Sequence, residues 1–454
     1  MSEIKLPEGW VEAELQEVAV WGSGGTPSRK YPEYYNGDIP WIKTGDLGPR
    51  LITRSSEYIT KQAVQNSNAK LFSKNSVVIA MYGATIGKTS ILGIDATTNQ
   101  ACAVGLPIEN VTTSIFLYYL LLNEKKSFIA KSKGGAQPNI SQAIIKEHKV
   151  PFPPLAEQKI ITDKLDSLLA QVDNTKTRLE QIPQILKRFR QAVLASAVSG
   201  RLTPKDQKSN VQFDVSVGSL CITSFDGPFG SKLKTDDYTN AGVRVARLEN
   251  IGHLTFNDEK ETYISDTKFN SLKGNKIEKD DVLFSSFVDE DVRVCLFPHN
   301  DKIFINKADC FCLRINQEIA SPKYVALTLA SRTSYEQIKA QVQGVTRPRI
   351  NLKTLRSLSF TFPSLQEQNE IVRCVEQLFA YADGIEKQVQ NALECVNNLT
   401  QSILAKAFRG ELTAQWRVEN PDLISGENSA QALLVKIQQQ RSSIKTIKRG
   451  KGNS

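Results

Sequence analysis

The chain has 454 residues, a formal net charge of +9 and a pI near 9.0. This length exceeds one hydrophobic core and predicts two or more domains, and the positive charge favours a polyanionic partner. Seven cysteines without a C-x-x-C pair and only three histidines argue against a zinc framework and indicate free thiols of a reducing compartment. The longest apolar run, Ile115 to Leu122, is too short to cross a bilayer, so we expect a cytoplasmic protein without membrane association.

Residues 1–150 have the pattern of a first globular module. Short runs of β-branched and aromatic residues alternate there with Gly, Pro and Asn turns, which predicts short strands, and one or two helices follow, one of them beginning at Ser114. Polar groups in its Gly-rich loops, such as "GGTPS" at Gly24 to Ser28, are candidates for ligand contacts, because a rigid scaffold positions such loops.

The stretch "YGATIGKTS", from Tyr82 to Ser90, is similar to a nucleotide-binding loop. Such a loop needs four residues between its first glycine and Gly-Lys-Ser/Thr so that its N–H groups wrap the phosphates, but only three separate Gly83 from Gly87. The residues after Lys88 are β-branched and favour a strand, where a phosphate loop would begin a helix. We interpret the stretch as a surface hairpin, with a nucleotide site as the alternative.

A long internal repeat organises the chain. "FPPLAEQKIITDKLDSLLAQVD" at 152–173 aligns without a gap on "FPSLQEQNEIVRCVEQLFAYAD" at 362–383, an offset of 210 residues, and the alignment resumes in "QAVLASAVSGRLT" and "QSILAKAFRGELT". More faintly, "VVIAMYGATIGKTSIL" at 77–92 matches "VLFSSFVDEDVRVCLF" at 282–297, which lacks both glycines and the lysine. One structural unit is therefore used twice, and its hairpin tip varies.

Both copies of the repeated segment carry a heptad pattern. Apolar residues recur at alternating steps of four and three, which predicts coiled-coil helices of roughly 40 residues and about 60 Å, with a local distortion at Pro183. Two separate amphipathic helices, each packed on its own domain, are the alternative. The same spacing places Leu399 and Ile403 on the seam. The principal seam positions are Ile161, Leu165, Leu168, Val172, Leu179, Leu186, Ile371, Val375, Leu378, Ile385, Val389 and Val396.

The predicted fold class is α+β, with two α/β modules separated by two long helices that pair as an antiparallel coiled coil. A repeat folded into one molecule tends toward pseudo-twofold symmetry, which runs the two helices antiparallel. The predicted parts are a first module at 1–150, a first helix at 151–204, a second module at 205–360, a second helix at 361–415, and a C-terminal helical segment with a basic disordered tail at 416–454.

Several motifs together resemble a known family. "LPEGW" at 6–10, "GGTPS", "GDIPW" at 37–41 and the repeated "PLAEQ" helix blocks resemble the specificity subunits of type I restriction–modification enzymes over nearly the whole chain, and the helix blocks are most similar to the enteric IA class. The resemblance implies that two target-recognition domains each read one half of a split, asymmetric site in double-stranded DNA. It also implies that the coiled coil sets the spacer and docks two methyltransferase subunits, while two restriction and translocation subunits complete the enzyme.

The resemblance implies a chain without catalysis, whose partner subunits bind S-adenosylmethionine, ATP and Mg²⁺. The residues agree, because the Asn/Asp-Pro-Pro-Tyr/Phe motif of an amino-methyltransferase is missing and the one Pro-Pro pair begins at Pro153. "DEK" at 258–260 has nuclease-like spacing but is typical of a solvated turn. A coiled-coil adaptor that binds partners without binding DNA remains the alternative.

Candidate DNA contacts are polar and basic groups in the Gly-rich loops, since loops reach base edges while a scaffold fixes them. "KRFR" at 187–190 is interpreted as a solvated helix face, with a phosphate or an acidic partner surface as alternatives. In the first module the candidates are Ser23, Gly24, Gly25, Thr26, Ser28, Arg29, Lys43, Thr44, Tyr82, Thr85, Lys88, Gln137 and Asn139. In the second module they are Ser231, Lys232, Arg247, Asn250, Arg293, Arg347 and Arg349.

Overall fold

Two long helices and two sheet-rich modules form the protein. The computed structural model describes residues 6–132, 138–203, 212–288, 291–342 and 348–439. Contacts divide the chain into unit 1, which is Met1–Leu179 with Ala392–Ser454, and unit 2, which is Glu180–Asn391. The long helices run from Leu155 to Val198 and from Leu365 to Phe408, so each of them contributes one part to each unit.

The first module is built from three sheets. A five-stranded sheet has the order β2-β10-β7-β8-β4, a four-stranded sheet has the order β5-β3-β9-β6, and β1 pairs with β11. The strands are β1 (Val11–Glu14), β2 (Ala19–Ser23), β3 (Tyr35–Ile42), β4 (Leu51–Ile52), β5 (Tyr58–Ile59), β6 (Leu71–Phe72), β7 (Val77–Ala80), β8 (Thr89–Leu92), β9 (Ala96–Thr98), β10 (Cys102–Pro107) and β11 (Lys149–Phe152). The helices are α1 (Leu15–Val18), α2 (Lys61–Gln65), α3 (Ser114–Asn123), α4 (Lys125–Lys131), α5 (Gln142–Lys146) and the long α6 (Leu155–Val198).

The second module repeats this plan. Its sheets have the orders β13-β21-β18-β19, β14-β16-β15-β20-β17 and β12-β22. The strands are β12 (Phe213–Ser216), β13 (Cys221–Phe225), β14 (Tyr238–Thr239), β15 (Val243–Ala246), β16 (Tyr263–Ile264), β17 (Lys276–Ile277), β18 (Val282–Ser285), β19 (Val294–Leu296), β20 (Phe304–Asn306), β21 (Cys310–Ile315) and β22 (Ser359–Phe362). The helices are α7 (Asp266–Asn270), α8 (Pro322–Ala330), α9 (Arg332–Lys339), α10 (Leu352–Ser357), the long α11 (Leu365–Phe408) and α12 (Ala414–Glu419), and residues 430–439 are also helical.

Local sequence explains the elements at the centre of each module. All four residues of β7 and all four of β18 are buried, which is why apolar residues follow one another without alternation throughout β7 and up to Ser285 in β18. Helix α3 begins at Ser114, as predicted, because the Thr113 hydroxyl accepts a hydrogen bond from the backbone N–H of Phe116 at 3.2 Å and caps the helix.

The long helices pair antiparallel, as predicted. In unit 1, Leu165 near the beginning of α6 shares a core with Leu404 near the end of α11. In unit 2, Val193 near the end of α6 shares a core with Val375 near the beginning of α11. The beginning of each helix therefore meets the end of the other, and α6 continues through Pro183, whose missing N–H leaves one helical hydrogen bond unmade.

The heptad spacing fails near the end of α11. Leu399 is 45% exposed and Ile403 is only half-buried, whereas Leu404 and Ala407 lie in the core of unit 1. The buried stripe shifts because these last turns pack on the globular module as well as on α6, and a straight helix of 3.6 residues per turn drifts away from a 3.5-residue repeat. The principal seam positions are buried at Ile161, Leu165, Val172, Leu186, Ile371, Val375, Val389 and Val396, and half-buried at Leu168, Leu179, Leu378 and Ile385.

A buried carboxylate joins three distant segments of unit 1. Glu157 on α6 is fully buried and accepts hydrogen bonds from Trp10 Nε1 at 2.8 Å, Thr413 Oγ1 at 2.5 Å and Arg417 Nη1 at 2.5 Å. In unit 2 the repeat-related Glu367 is only half-buried and, among the described residues, accepts a long bond from Thr203 Oγ1 at 3.4 Å. We call Trp10, Glu157, Thr413 and Arg417 the carboxylate clamp, which ties the described N-terminal and C-terminal segments to α6.

None of the described helices combines the length and the apolar character that crossing a membrane requires. The predicted C-terminal segment at 416–454 ends in a basic tail, and residues 440–454 of this segment lie outside the described residues.

Candidate nucleic-acid interface

The stretch that is similar to a phosphate loop forms a hairpin. β7 and β8 pair antiparallel, and Gly83–Thr85 make a single 3₁₀ turn between them. The chain enters β8 directly after Lys88, so the described residues place no helix N-terminus at this lysine and do not support the nucleotide alternative. Lys88 and Tyr82 are exposed at the tip, with Tyr82 47% exposed.

The hairpin tip is fixed to a second loop. Tyr82 forms a β-bridge with Asn139, Gly83 N–H donates to Pro138 O at 2.8 Å, and Ile140 N–H donates to Met81 O at 2.9 Å. Asn139 is exposed, so these bonds bring its side chain to the same surface as Tyr82. Gln137, its predicted neighbour in this surface, lies outside the described residues.

The two glycines of "GGTPS" are buried rather than exposed. A Cβ on Gly24 would lie 2.2 Å from Thr98 O, and one on Gly25 would lie 2.3 Å from the carbonyl carbon of Asn68. These distances explain the glycines as sites of close backbone packing. Their prediction as surface contacts does not fit this burial, and Thr26 and Ser28, the exposed residues that follow, remain candidates.

One turn holds both loops of the first module. Gly24 N–H donates to Cys102 O at 3.3 Å, Gly25 N–H donates to Thr98 O at 2.9 Å, and Met81 N–H donates to Ala101 O at 2.9 Å. We call residues 98–102, from the last residue of β9 to the first of β10, the first anchor turn. Through it the "GGTPS" loop and the hairpin tip share one rigid support, as a recognition surface made from separate loops requires.

Two predicted cations of the first module share one carboxylate. Glu57 accepts from Arg29 at 2.9 Å and Lys43 at 3.0 Å, and its pKa is lowered, first by the hydrogen bond from Lys43. The Arg29 guanidinium also lies 4.3 Å from the ring centre of Tyr35. Because Tyr35 Oη donates to Pro27 O at 2.6 Å, the Arg29 guanidinium lies beside the "GGTPS" loop, and the Asp46 carboxylate accepts from the Lys43 backbone N–H at 2.8 Å. Ser23, Thr44 and Thr85 are half-buried, and Thr85 Oγ1 donates to Tyr82 O at 2.7 Å.

The second module contains an equivalent anchor turn, residues 307–310 between β20 and β21. Asp226 accepts from the backbone N–H groups of Gly227 at 2.7 Å and Asp309 at 3.1 Å, and Ser286 N–H donates to Asp309 O at 2.8 Å. Ile350 N–H donates to Ser286 O at 3.0 Å. The loop after β13 and the tip after β18 are thus both attached to the second anchor turn.

In the second module, as in the first, the tip of the hairpin is bridged to a loop near the C-terminal end of the module. Phe287 forms a β-bridge with Arg349, in the place that Tyr82 and Asn139 occupy in the first module. Arg349 is exposed, and Ser231 and Lys232 are exposed in the loop after β13. Arg347, the other arginine of this predicted turn, lies outside the described residues.

The remaining candidates of the second module have partners within it. Arg247 pairs with Glu249 at 3.4 Å, and Arg293 Nη1 donates to Leu248 O at 3.3 Å. Asn250 is buried, and its Nδ2 donates to Asn257 O at 2.7 Å and to Lys260 O at 3.1 Å. Asn250 therefore holds the turn at 250–260 in place, which does not fit its prediction as an exposed contact.

Sequence reasoning missed the partner of the "DEK" segment. Arg244 on β15 is 1% exposed and bonds to Asp258 Oδ1 at 2.6 Å and to Glu261 Oε1 at 2.8 Å. These carboxylates neutralise a buried guanidinium, and a nuclease role for them finds no support. A lone arginine within the apolar "VRVA" strand was the available signal, since an unpaired charge is rarely buried.

The basic "KRFR" segment faces acidic groups of its own unit. Arg190 pairs with Asp383 at 2.6 Å and with Glu386 at 2.9 Å, and Lys187 lies 3.7 Å from Asp291. These contacts account for two of its cations without a phosphate.

Comparison with known proteins identifies the family. The family model described as type I restriction modification DNA specificity domain matches residues 7–184 and 227–395, which together are most of the chain. The chain belongs to the type I restriction–modification specificity subunits. It is 38% identical to the EcoKI specificity subunit of Escherichia coli strain K12 and 37% identical to the StySPI specificity subunit of Salmonella potsdam, in each case over 97% of both chains.

Solved structures agree with the fold of a specificity subunit. A chain from a study of complex assembly and conformational transition of the type I R-M system matches with a TM-score of 0.68, at 18% identity, over 90% of this chain and 99% of that chain. The HsdS subunit from Thermoanaerobacter tengcongensis matches over the same shares with a TM-score of 0.57, also at 18% identity. At this identity, the matches establish the fold alone.

Proposed function

We propose that this chain reads the DNA sequence for a type I restriction–modification complex and carries out no chemistry itself. Each module reads one half of a bipartite site in double-stranded DNA, and the antiparallel helices set the spacer between the halves. Two methyltransferase subunits dock on these helices, and two restriction subunits complete the assembly. The partners bind S-adenosylmethionine, ATP and Mg²⁺, and the complex acts in the cytoplasm.

The duplicated anchor turn carries this proposal. Each module fixes two loops to one turn, between β9 and β10 in the first and between β20 and β21 in the second. The scaffold is thus repeated, while the bridged side chains at the tips differ, with the exposed Tyr82 and Asn139 in one copy and the half-buried Phe287 and the exposed Arg349 in the other. Since base edges are distinguished by side-chain donors, acceptors and apolar groups, different tips on equal scaffolds should read different half-sites.

Exchange of one module tests this proposal. Residues of roughly 10–150 are replaced by the matching residues of a relative that methylates a different site, and methylated adenines are mapped in a host that supplies the partner subunits. We expect one half of the target to change and the other half to persist. A change in both halves would contradict independent reading, and a functional complex that methylates without any sequence preference would contradict the proposed function.

Absence of catalysis is tested separately. The purified chain, free of partner subunits, should show no methyl transfer, DNA cleavage or ATP hydrolysis. If turnover persisted after further purification and decreased in a Lys88→Ala variant, the nucleotide-dependent alternative would be restored.

A further inference from the structure

An exposed apolar ring stands in the loop after β13 of the second module. Phe229 is 53% exposed, although aromatic side chains bury more area than any others when a protein folds. It directly precedes a 3₁₀ turn of Gly230–Lys232, whose last residue, Lys232, is exposed and basic. Lys232 N–H donates to Phe229 O at 3.0 Å, so the ring and the cation belong to one compact turn.

The base of this loop is rigid. A Cβ on Gly227 would lie 1.9 Å from the carbonyl carbon of Lys307, so only glycine fits there. Asp226 next to it accepts two backbone N–H groups, and Asn275 Nδ2 donates to Asp226 O at 2.9 Å. Phe229 is therefore presented by a fixed support, the second anchor turn, to which the Arg349 loop is also linked through Ser286.

The surroundings of Phe229 favour DNA as its binding partner over an acidic protein surface, and over exposure to solvent alone. Lys232 and Arg349 supply positive charge in the loops attached to this turn, and the apolar groups that differ from one DNA sequence to another lie on the bases. Among these the thymine methyl group is the one that an aromatic side chain contacts in the major groove. Phe229 as a whole is already about half covered by the protein, so it is poorly placed to enter the stack between base pairs, as a wedge must.

We propose that Phe229 contacts the 5-methyl group of one thymine in the half-site read by the second module. The inference rests on the proposed function and extends it from a surface to one residue and one chemical group. A half-site that is methylated at adenine contains at least one A·T pair, so at least one thymine is available for this contact.

Deoxyuridine substitution tests the contact. The chain is purified with its methyltransferase subunit, and binding is measured on duplexes that carry the methylome-derived site with each thymine of the second half-site replaced in turn by deoxyuridine. For the wild type we expect one position to weaken binding about fourfold, the equivalent of ~0.8 kcal/mol for a buried methyl group. The Phe229→Ala variant should bind the thymine and deoxyuridine duplexes equally at that position, with unchanged preference in the first half-site.

Ile222→Ala is the matched control. Ile222 is an apolar residue of the same module, 69% exposed on β13, but it lies beside Glu278 and Asp280 in an acidic groove unsuited to DNA. This variant should keep the wild-type sensitivity to deoxyuridine.

Three results would overturn the proposal. The first is wild-type binding that is insensitive to deoxyuridine at every position, and the second is a sensitive position that stays sensitive in Phe229→Ala. The third uses duplexes that contain the fluorescent base 2-aminopurine: a strong increase in its fluorescence on binding that Phe229→Ala abolishes would indicate insertion between base pairs. If the wild-type complex bound all DNA sequences equally, the proposed function itself would be refuted.

Discussion

Replacing Arg417 by alanine would leave the Glu157 carboxylate buried with only two neutral donors, Trp10 Nε1 and Thr413 Oγ1. Glu157 is 0% exposed and the Arg417 side chain is 12% exposed, so water replaces the lost guanidinium poorly. Breaking a buried pair from one side costs about 3–5 kcal/mol. We expect the lower end of this range, because the two remaining hydrogen bonds still stabilise the charge.

Glu157→Gln should cost less than Arg417→Ala, although it alters the more deeply buried residue. Glutamine is neutral and can still accept hydrogen bonds, so the variant loses roughly the 1.5–3 kcal/mol of charge-assisted bonds. The uncompensated Arg417 also keeps its bond to Gly410 O at 2.7 Å. The double variant should cost less than the sum of the single variants, because its two residues belong to one cluster.

Hydrogen exchange resolves these effects better than a global melt, because a chain of two units need not unfold in one step. Peptides covering 6–14 and 409–424 should exchange faster in Arg417→Ala, while peptides of unit 2 stay unchanged. Glu367→Gln is the matched control from the repeat, and should cost less than about 1 kcal/mol because Glu367 is only half-buried and its described bond, from Thr203, is long. Equal, small effects of Arg417→Ala and Glu367→Gln would refute the reasoning that burial makes the clamp strong.

Three further predictions concern pH, base contact and spacing. Burial raises the pKa of Asp226 from 3.8 to about 6, so folding favours the protonated carboxyl, and the stability that this provides is present below about pH 4 and is lost as pH rises through about 6. Asp226→Asn should therefore raise the melting temperature of the chain at pH 8 and change it little at pH 4. An increase in melting temperature that does not depend on pH would count against this. If Arg349 contacts a base edge, Arg349→Ala should cost ~1–3 kcal/mol of binding and relax one target position, whereas uniform weakening with a salt slope smaller by about one would indicate a phosphate contact, and no change in either would leave the loop structural. Insertion of seven residues between Asp173 and Pro183 keeps the heptad phase and adds about 10 Å to α6, so methylome sequencing should show a spacer longer by up to about three base pairs at ~3.4 Å each. An active enzyme with an unaltered spacer would contradict the proposal that the helices set the spacer.

The duplicated plan of this protein is readable from its amino-acid sequence. The gapless repeat at an offset of 210 residues predicted one unit used twice, and the heptads predicted helices that the structure places at Leu155–Val198 and Leu365–Phe408. The short spacing in "GATIGKTS" and the β-branched residues after it predicted a hairpin instead of a phosphate loop. These features are local, because helical and strand periodicities reflect which side of an element faces a core.

Which residues come into contact depends instead on the folded chain. The Met81 and Gly24 loops share one turn through backbone hydrogen bonds, and backbone groups are the same in every residue, so the sequence carries no signal for this pairing. Burial of Asn250 and Gly24 follows from long-range packing that a loop composition cannot express. Glu157 is the centre of the carboxylate clamp because Trp10 and Arg417 pack against α6 and donate hydrogen bonds to it. A charged group can be buried only where such hydrogen-bond donors surround it.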